Sequence, residues 1–238
     1  MFQTISRYNN RSHESELLDA DTISKSELWQ NLSELDTINR LLGGHIATLK
    51  GLKKLMTDNT KTYLIYDIGC GGGDTLKIIS NWAQKNNFKV KLIGLDIKPE
   101  AIEYAKLKCQ NFNDISFVCD DFNNLKIENN IDIIISSLFC HHIYDKLLSD
   151  YIKLIHNIPK IGFVINDLHR HWLAGESIKW LTHVFSKSYL VKNDARLSVN
   201  KGFIKTELAI FNHSKSDFNF QVMWVWAFRW LIVGLKTN

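Results

Sequence analysis

No two cysteines in the chain stand at CxxC spacing, and only four occur in 238 residues: Cys70, Cys109, Cys119 and Cys140. That excludes the cysteine density of a secreted disulfide framework, argues against structural zinc, and fits a reducing cytoplasm. Lysine and arginine form no continuous stripe; a net charge of +4 is spread among 29 basic and 25 acidic residues, which argues against a nucleic-acid partner. Long apolar runs are missing too. The most apolar stretch, "WVWAFRWLIVG", is too short to span a bilayer and carries Arg229, so no stable membrane insertion is expected. The opening "MFQTISRYNNRSHESELLD" lacks an apolar segment behind a basic start, so no secretory leader is expected. Repeats and low-complexity tracts are also absent. What remains, 45% hydrophobic and 23% charged, is the composition of one ordinary globular domain. None of these quantities sets an oligomeric state.

Two textures follow one another along the chain. Leu28, Leu32, Leu35, Ile38, Leu41 and Leu42, then Ile46, Leu49, Leu52 and Leu55, recur at helical spacing around Gly43-Gly44. They predict two amphipathic helices in an amino-terminal cap over residues 1–62, with Ser24 or Ser26 as N-cap. From Tyr63 short apolar runs alternate with helix-length segments: "YLIYDIG", "VKLIGLDI", "ISFVCDDF", "IDIIISSLF" and "IGFVINDL". Buried strands alternating with helices predict an α/β fold, a Rossmann-like, doubly wound and mostly parallel sheet over residues 63–238. A helical insertion follows at about 170–212, including "GESIKWLTHVFSKSYL" and a second piece near Lys205–Phe211. Period-two aromatics from Phe218 to Phe228, and then "RWLIVGLK", predict an antiparallel pair that closes a sheet of about seven strands, with core packing expected for the aromatics.

The segment "YDIGCGGGDT", Tyr66 to Thr75, ends the first strand in a turn nearly bare of side chains. Gly69, Cys70, Gly71 and Gly73 let the main chain turn sharply and touch a ligand, and Asp96 at the end of the second strand is placed for ribose hydroxyls. That pattern specifies an adenosine-type cofactor. Asp67 and Asp74 flank the turn and disfavour a pyrophosphate, because like charges at close range repel. A cofactor carrying an ammonium and a sulfonium suits them, and S-adenosylmethionine is expected. A nicotinamide oxidoreductase stays open as an alternative.

Through "YDIGCGGGD" and "IGLDIKPEAIEYAKLK" the chain resembles the class I S-adenosylmethionine-dependent methyltransferases, and "FVCDDFNNL" and "IDIIISSLFCHHIYD" resemble their next two motifs. The resemblance implies a cofactor site of Asp67, Gly69, Cys70, Gly71, Gly73, Asp96 and Ile97. It further implies that Asp120, Asp121 and Phe122 border the adenine and that Ser137 and Leu138 face the methionine part. The helical cap and the histidine in the fourth motif resemble the quinone-biosynthesis C-methyltransferases, which implies a small apolar aromatic acceptor: a phenol, quinol or polyketide, methylated on carbon or oxygen.

At the acceptor side Ser136-Ser137-Leu138-Phe139 stands where DNA amino-methyltransferases carry Asn or Asp before Pro-Pro and an aromatic, and no metal is expected. Histidines follow the fourth strand (His141, His142) and the fifth ("NDLHRHW"). A group with a reference pKa of ~6.5 can take a proton near neutrality. His169 or His171 is a candidate general base oriented by Asp167, and His142 is a further candidate; helix capping by His142 and packing of His171 beside Trp172 are the bland alternatives. "RSHESELLD", Arg11 to Asp19, is either a flap over the ligand or a solvated capping turn. Protein or RNA methylation, and a cofactor-binding module without turnover, stay open beside the small-molecule enzyme.

Overall fold

The leucine periodicity near the amino terminus folds as two helices. In the computed structural model, which describes residues 7–20, 23–126, 130–212 and 218–237, these are α1 (Lys25–Leu41) and α2 (Gly44–Leu55). Residues 1–6 of the expected leaderless start lie outside the described ones. Ser24 caps α1 in a reciprocal box: its Oγ accepts from Glu27 N at 3.3 Å and its own N–H donates to Glu27 Oε2 at 3.1 Å. Gly43, at φ 73°, makes the break between the helices.

The alternating segments fold as β1 (Thr62–Ile68), α3 (Asp74–Lys85), β2 (Lys89–Asp96), α4 (Pro99–Lys108), β3 (Ile115–Cys119), β4 (Ile133–Ser137), α5 (Asp145–Asn157) and β5 (Gly162–Leu168). Helices α6 (Trp172–Phe185) and α7 (Tyr189–Lys201) follow, then β6 (Phe218–Val225) and β7 (Arg229–Lys236). The seven strands lie in the order β3-β2-β1-β4-β5-β7-β6. β1 to β5 are parallel, and β7 runs antiparallel to both β5 and β6. This is the Rossmann-like sheet the alternation predicts.

Period two in the strands sorts their side chains between two cores. Ile134, Phe163, Ile165 and Ile232 join Tyr151 and Ile155 of α5 on one face. Ile133, Ile135, Val164, Leu231 and Val233 join Leu52 and Leu55 of α2 and Ile79 of α3 on the other. Strands buried on both faces are the reason the runs read as continuously apolar. The strand order reverses between β1 and β4, so a crevice opens at the carboxyl ends of these two strands.

The single helical insertion expected after β5 is two helices. Ser188 caps α7, and Glu34 of α1 accepts from Lys187 N at 3.1 Å and Ser188 N at 3.0 Å, a distant contact that holds the break. Residues Lys205–Phe211 form a 3-10 helix. Of the carboxyl-terminal aromatics, Phe218 and Phe220 pack on the core, whereas Trp226 is 66% exposed at the rim of the crevice. Among the described residues no helix is long and apolar enough to cross a membrane.

Helix α2 lies directly on the sheet because Gly51 has no side chain: a Cβ there would collide with Val164 and come within 3.2 Å of Leu231 Cδ1. Both neighbours are fully buried and cannot swing away. Gly51→Ala is therefore expected to lower stability by about 1–3 kcal/mol through overpacking. Urea unfolding checks this, and an unchanged midpoint would contradict the close packing of α2.

Candidate active site

The turn after β1 is held by the neighbouring strand. Gly69 N and Cys70 N both donate to Leu95 O, at 2.8 and 3.1 Å, and Gly71 N donates to Asp96 Oδ2 at 2.9 Å. Gly69 and Gly71 have φ of 70° and 50°, the left-handed region that glycine enters at little cost. A Cβ on Gly69 would also run into the Phe139 ring. The bare turn is thus required both by its backbone and by what crowds it.

The acids around the turn differ in their partners. Asp96 is fully engaged by backbone, its Oδ1 accepting from Lys98 N at 3.0 Å. Asp67 is 2% exposed, and its Oδ1 has no hydrogen-bond donor. Burial and the charge of Asp96 push its pKa well above the carboxylate range. Asp74 is instead paired with Lys77 at 2.6 Å, so its charge is balanced locally. Leu138 follows β4 at φ 57°, a strained conformation for a leucine, with its N–H on Asn166 O at 2.9 Å. Asp121 caps a short 3-10 turn by accepting from Asn123 N, and buried Phe122 follows it.

These groups line one cavity of about 960 Å³, at the upper end of the range for small-molecule sites. Apolar side chains from α1, α6 and α7 wall it, among them Leu28, Leu32, Ile178, Leu181 and Val191. A polar cluster occupies another stretch of the wall. His141 Nδ1 lies 2.7 Å from Asp167 Oδ1, and His141 N donates to Asp167 Oδ2 at 3.2 Å. Burial raises the pKa of Asp167, but the charge and hydrogen bond of His141 outweigh it and hold the carboxyl below its usual value. His142 Nδ1 meets Asp19 Oδ2 at 3.4 Å, and buried Lys201 Nζ lies 3.2 Å from Glu16 Oε1. Glu16, His141 and His142 bring one ligand atom each within 4.8 Å of one another, a spacing that could hold a metal ion. Lys201 already supplies a positive charge to the same Glu16 carboxylate.

The family model described as a methyltransferase domain matches residues 59–201. The chain belongs to that family. It carries a methyltransferase domain on the class I S-adenosylmethionine-dependent methyltransferase fold. Carboxy-S-adenosyl-L-methionine synthase of Histophilus somni (strain 2336) is 32% identical over 110 residues, 42% of this chain and 43% of the relative. The synthase of Helicobacter pylori is 31% identical over 65 residues, 27% and 26% of the two chains. The match spans less than half the length of these curated relatives. Among solved structures, the plantazolicin methyltransferase BpumL in complex with a triazolic desmethylPZN analog and SAH shares the fold over 100% of this chain and 98% of its own, with TM-score 0.67 and 17% identity. A SAM-dependent methyltransferase from Aquifex aeolicus matches over 90% and 99%, with TM-score 0.60 and 15% identity. None of these singles out the quinone-biosynthesis C-methyltransferases.

The methyltransferase site fits its cationic cofactor. Among the described residues Asp67 and Asp96 make no ion pair, and Asp67 keeps an oxygen free for a donor. Of the residues expected at the cofactor, all but Gly73 line the cavity; Gly73 is the left-handed N-cap of α3, behind the turn. The expected catalytic residues are dispersed. His142 lines the cavity, whereas Asp167, His169 and His171 are not part of its wall. Asp167 grips His141, not His169. His169 Nδ1 accepts from Trp224 Nε1 at 3.2 Å, and His171 caps α6 by accepting from Leu173 N at 3.2 Å. The stretch from Arg11 to Asp19 lies over the polar wall: Glu16, Leu18 and Asp19 line the cavity, and Arg11 donates to the carbonyls of Cys140, His141 and Ile143. The sequence signal for His141 is its place at the carboxyl end of β4; its pairing with Asp167 needs the β4–β5 neighbourhood, which spacing does not reveal.

The two flanking histidines titrate in opposite directions. Burial lowers the pKa of His142, but the Asp19 hydrogen bond and the Glu16 and Asp19 charges outweigh it, so the net shift is upward. Burial, helped by His171 and Arg170, lowers that of His169 to about 4. A raised folded-state pKa adds stability that is present below the unfolded value of ~6.5 and lost as pH rises through the folded one; a lowered value weakens the fold as pH drops below ~6.5. Urea unfolding should therefore show His142→Asn losing more stability at pH 5 than at pH 8. His169→Asn should lose less at pH 5 than at pH 8.

Proposed function

We propose that this methyltransferase acts on a small, largely apolar acceptor, a phenol, quinol, polyketide or related heteroaromatic, and that His141 is its general base. The observation that carries the base is the buried pair of His141 Nδ1 and Asp167 Oδ1 at 2.7 Å on the cavity wall. An ionised Asp167 only accepts, so His141 donates to it from Nδ1, and in the neutral ring the lone pair that can take a proton sits on Nε2. That nitrogen takes the proton from the acceptor's hydroxyl or activated carbon, and Asp167 is its positioning residue. His142, with its pKa raised, serves as a donor beside it.

S-adenosylmethionine, when bound, supplies a methyl group on a sulfonium leaving group. The chain's task is placement and dryness. Asp67 and Asp96 favour the positive charge, Asp120, Asp121 and Phe122 border the adenine, and Ser137 and Leu138 border the methionine part. The apolar walls from α1, α6 and α7 exclude water from the acceptor. Solved neighbours that share the fold, a plantazolicin methyltransferase with azole analogues and the CMeT domain of a citrinin polyketide synthase, support a small-molecule acceptor. Cysteine scarcity, four in 238 residues with none at CxxC spacing, supports a reducing, cytoplasmic setting.

Calorimetry of the purified protein is expected to show binding of S-adenosylmethionine and S-adenosylhomocysteine that is lost in Asp96→Ala, with no binding of NADH. With phenol and quinol acceptors, His141→Gln and Asp167→Asn should lower kcat about 10²–10⁴-fold while leaving the cofactor Kd within about twofold of wild type. Full turnover by both variants would remove His141 from the mechanism. Turnover on protein or RNA alone would overturn the small-molecule acceptor.

A further inference from the structure

Arg229, the first residue of β7, is 2% exposed and lines the cavity. Its Nη2 donates to Asn39 Oδ1 at 2.7 Å, but its Nε and Nη1 are buried without any hydrogen-bond acceptor. Among the described residues it makes no ion pair. The carboxylate whose charge acts on it, Asp167, already accepts from His141 Nδ1, His141 N and Leu168 N. Burial lowers its pKa to about 10, against the pull of Asp167, which still leaves it cationic near neutrality.

A second positive feature lies against it. Gly44 opens α2, a helix of 12 residues whose amino-terminal end carries partial positive charge. A Cβ on Gly44 would come within 3.0 Å of Arg229 Cζ and Nη2, so the absence of a side chain there is what admits the guanidinium. A buried cation beside a helix amino terminus, with two donor nitrogens unused, is costly unless an anion completes it. No side chain of the described protein does.

We propose that Arg229 anchors a carboxylate inside the cavity, carried either by the acceptor or by the cofactor's own amino-acid end. The inference rests on the small-molecule reading of this cavity and adds to it a charged handle on an otherwise apolar ligand. One planar guanidinium matches a carboxylate better than a phosphate dianion, which draws several cations, and the many acids on the same wall disfavour a doubly charged group. Asn39 fixes the guanidinium plane and so sets the direction from which the carboxylate must approach.

The test is calorimetry on the full chain, wild type against Arg229→Gln and Arg229→Met, with three probes. They are S-adenosylhomocysteine, its decarboxylated analogue, and 4-hydroxybenzoate added to the S-adenosylhomocysteine-saturated protein, with 4-hydroxybenzamide as control. Should the carboxylate be the cofactor's, S-adenosylhomocysteine affinity falls at least about tenfold in both variants, roughly the loss of one charged hydrogen-bonding partner, while the decarboxylated analogue binds all three proteins alike. Should it be the acceptor's, S-adenosylhomocysteine binds all three alike, and 4-hydroxybenzoate binds the wild type but neither variant, the amide binding none. The proposal is overturned if the variants bind every probe as the wild type does, or if S-adenosylhomocysteine is unaffected and the benzoate does not bind. A thermal melt without ligand separates a structural role: a guanidinium held for a ligand predicts that Arg229→Met melts higher than wild type, and a lower Tm with unchanged binding counts against the proposal. Wild-type protein that does not bind S-adenosylhomocysteine overturns the cofactor reading itself, and 4-hydroxybenzoate against 4-hydroxybenzamide, titrated into the ligand-free protein, then decides alone on Arg229.

Discussion

Everything at the active site hangs on β1 being paired on both sides. In register, Asp67 stands beside Gly94 of β2 and Ile135 of β4, so its backbone cannot rotate the side chain toward bulk water. The strand order reverses beside it, and the chain leaves β1 and β4 toward opposite faces of the sheet. A crevice is the unavoidable result, and a carboxylate is locked at its base. The glycine turn, the backbone hydrogen bonds of Asp96 and the strained Leu138 are all consequences of main chain that must clear that crevice.

The cavity has two electrostatic characters. Around the turn, Asp67 and Asp96 make no ion pair among the described residues, and burial pushes both carboxyls toward the neutral form, so a cation that enters favours their ionisation. Along the polar wall the acids are matched: Glu16 by Lys201, Asp19 by His142 and Lys201, Asp167 by His141. A cationic ligand is therefore drawn to one region while the other offers a proton acceptor with fixed orientation. Arg229, next to Trp226 and Phe228 on the cavity wall, adds a third character, a positive charge with no ion-pair partner among the described residues.

Local chemistry was legible in the sequence; pairing across the fold was not. The continuous run of isoleucines in "IDIIISS" disclosed a strand with two buried faces, and the choice of Ser24 or Ser26 disclosed the start of α1. The glycine turn and Asp96 disclosed the cofactor, because those residues are joined by one βαβ unit. The break between α6 and α7 escaped because it depends on Glu34, far away in α1. Asp167 was expected beside His169, two positions on, but β5 ends at Leu168 and His169 turns to Trp224 of β6, whereas the real partner, His141, lies just past the end of the neighbouring β4. Glu16, Lys201 and Arg229 were equally invisible: each owes its place to a contact between distant parts of the chain.

The place of β7 bears on how the molecule comes to exist. β7 lies directly against β5, yet α6, α7 and β6 all intervene in the chain. While a ribosome makes those segments, β5 has β4 on one side and an open row of backbone donors and acceptors on the other. Such an edge is a template for stray strands. The nascent chain is thus at its most vulnerable just after its cofactor-binding half is complete, and the strand that ends this exposure is the one that delivers Arg229 to the cavity.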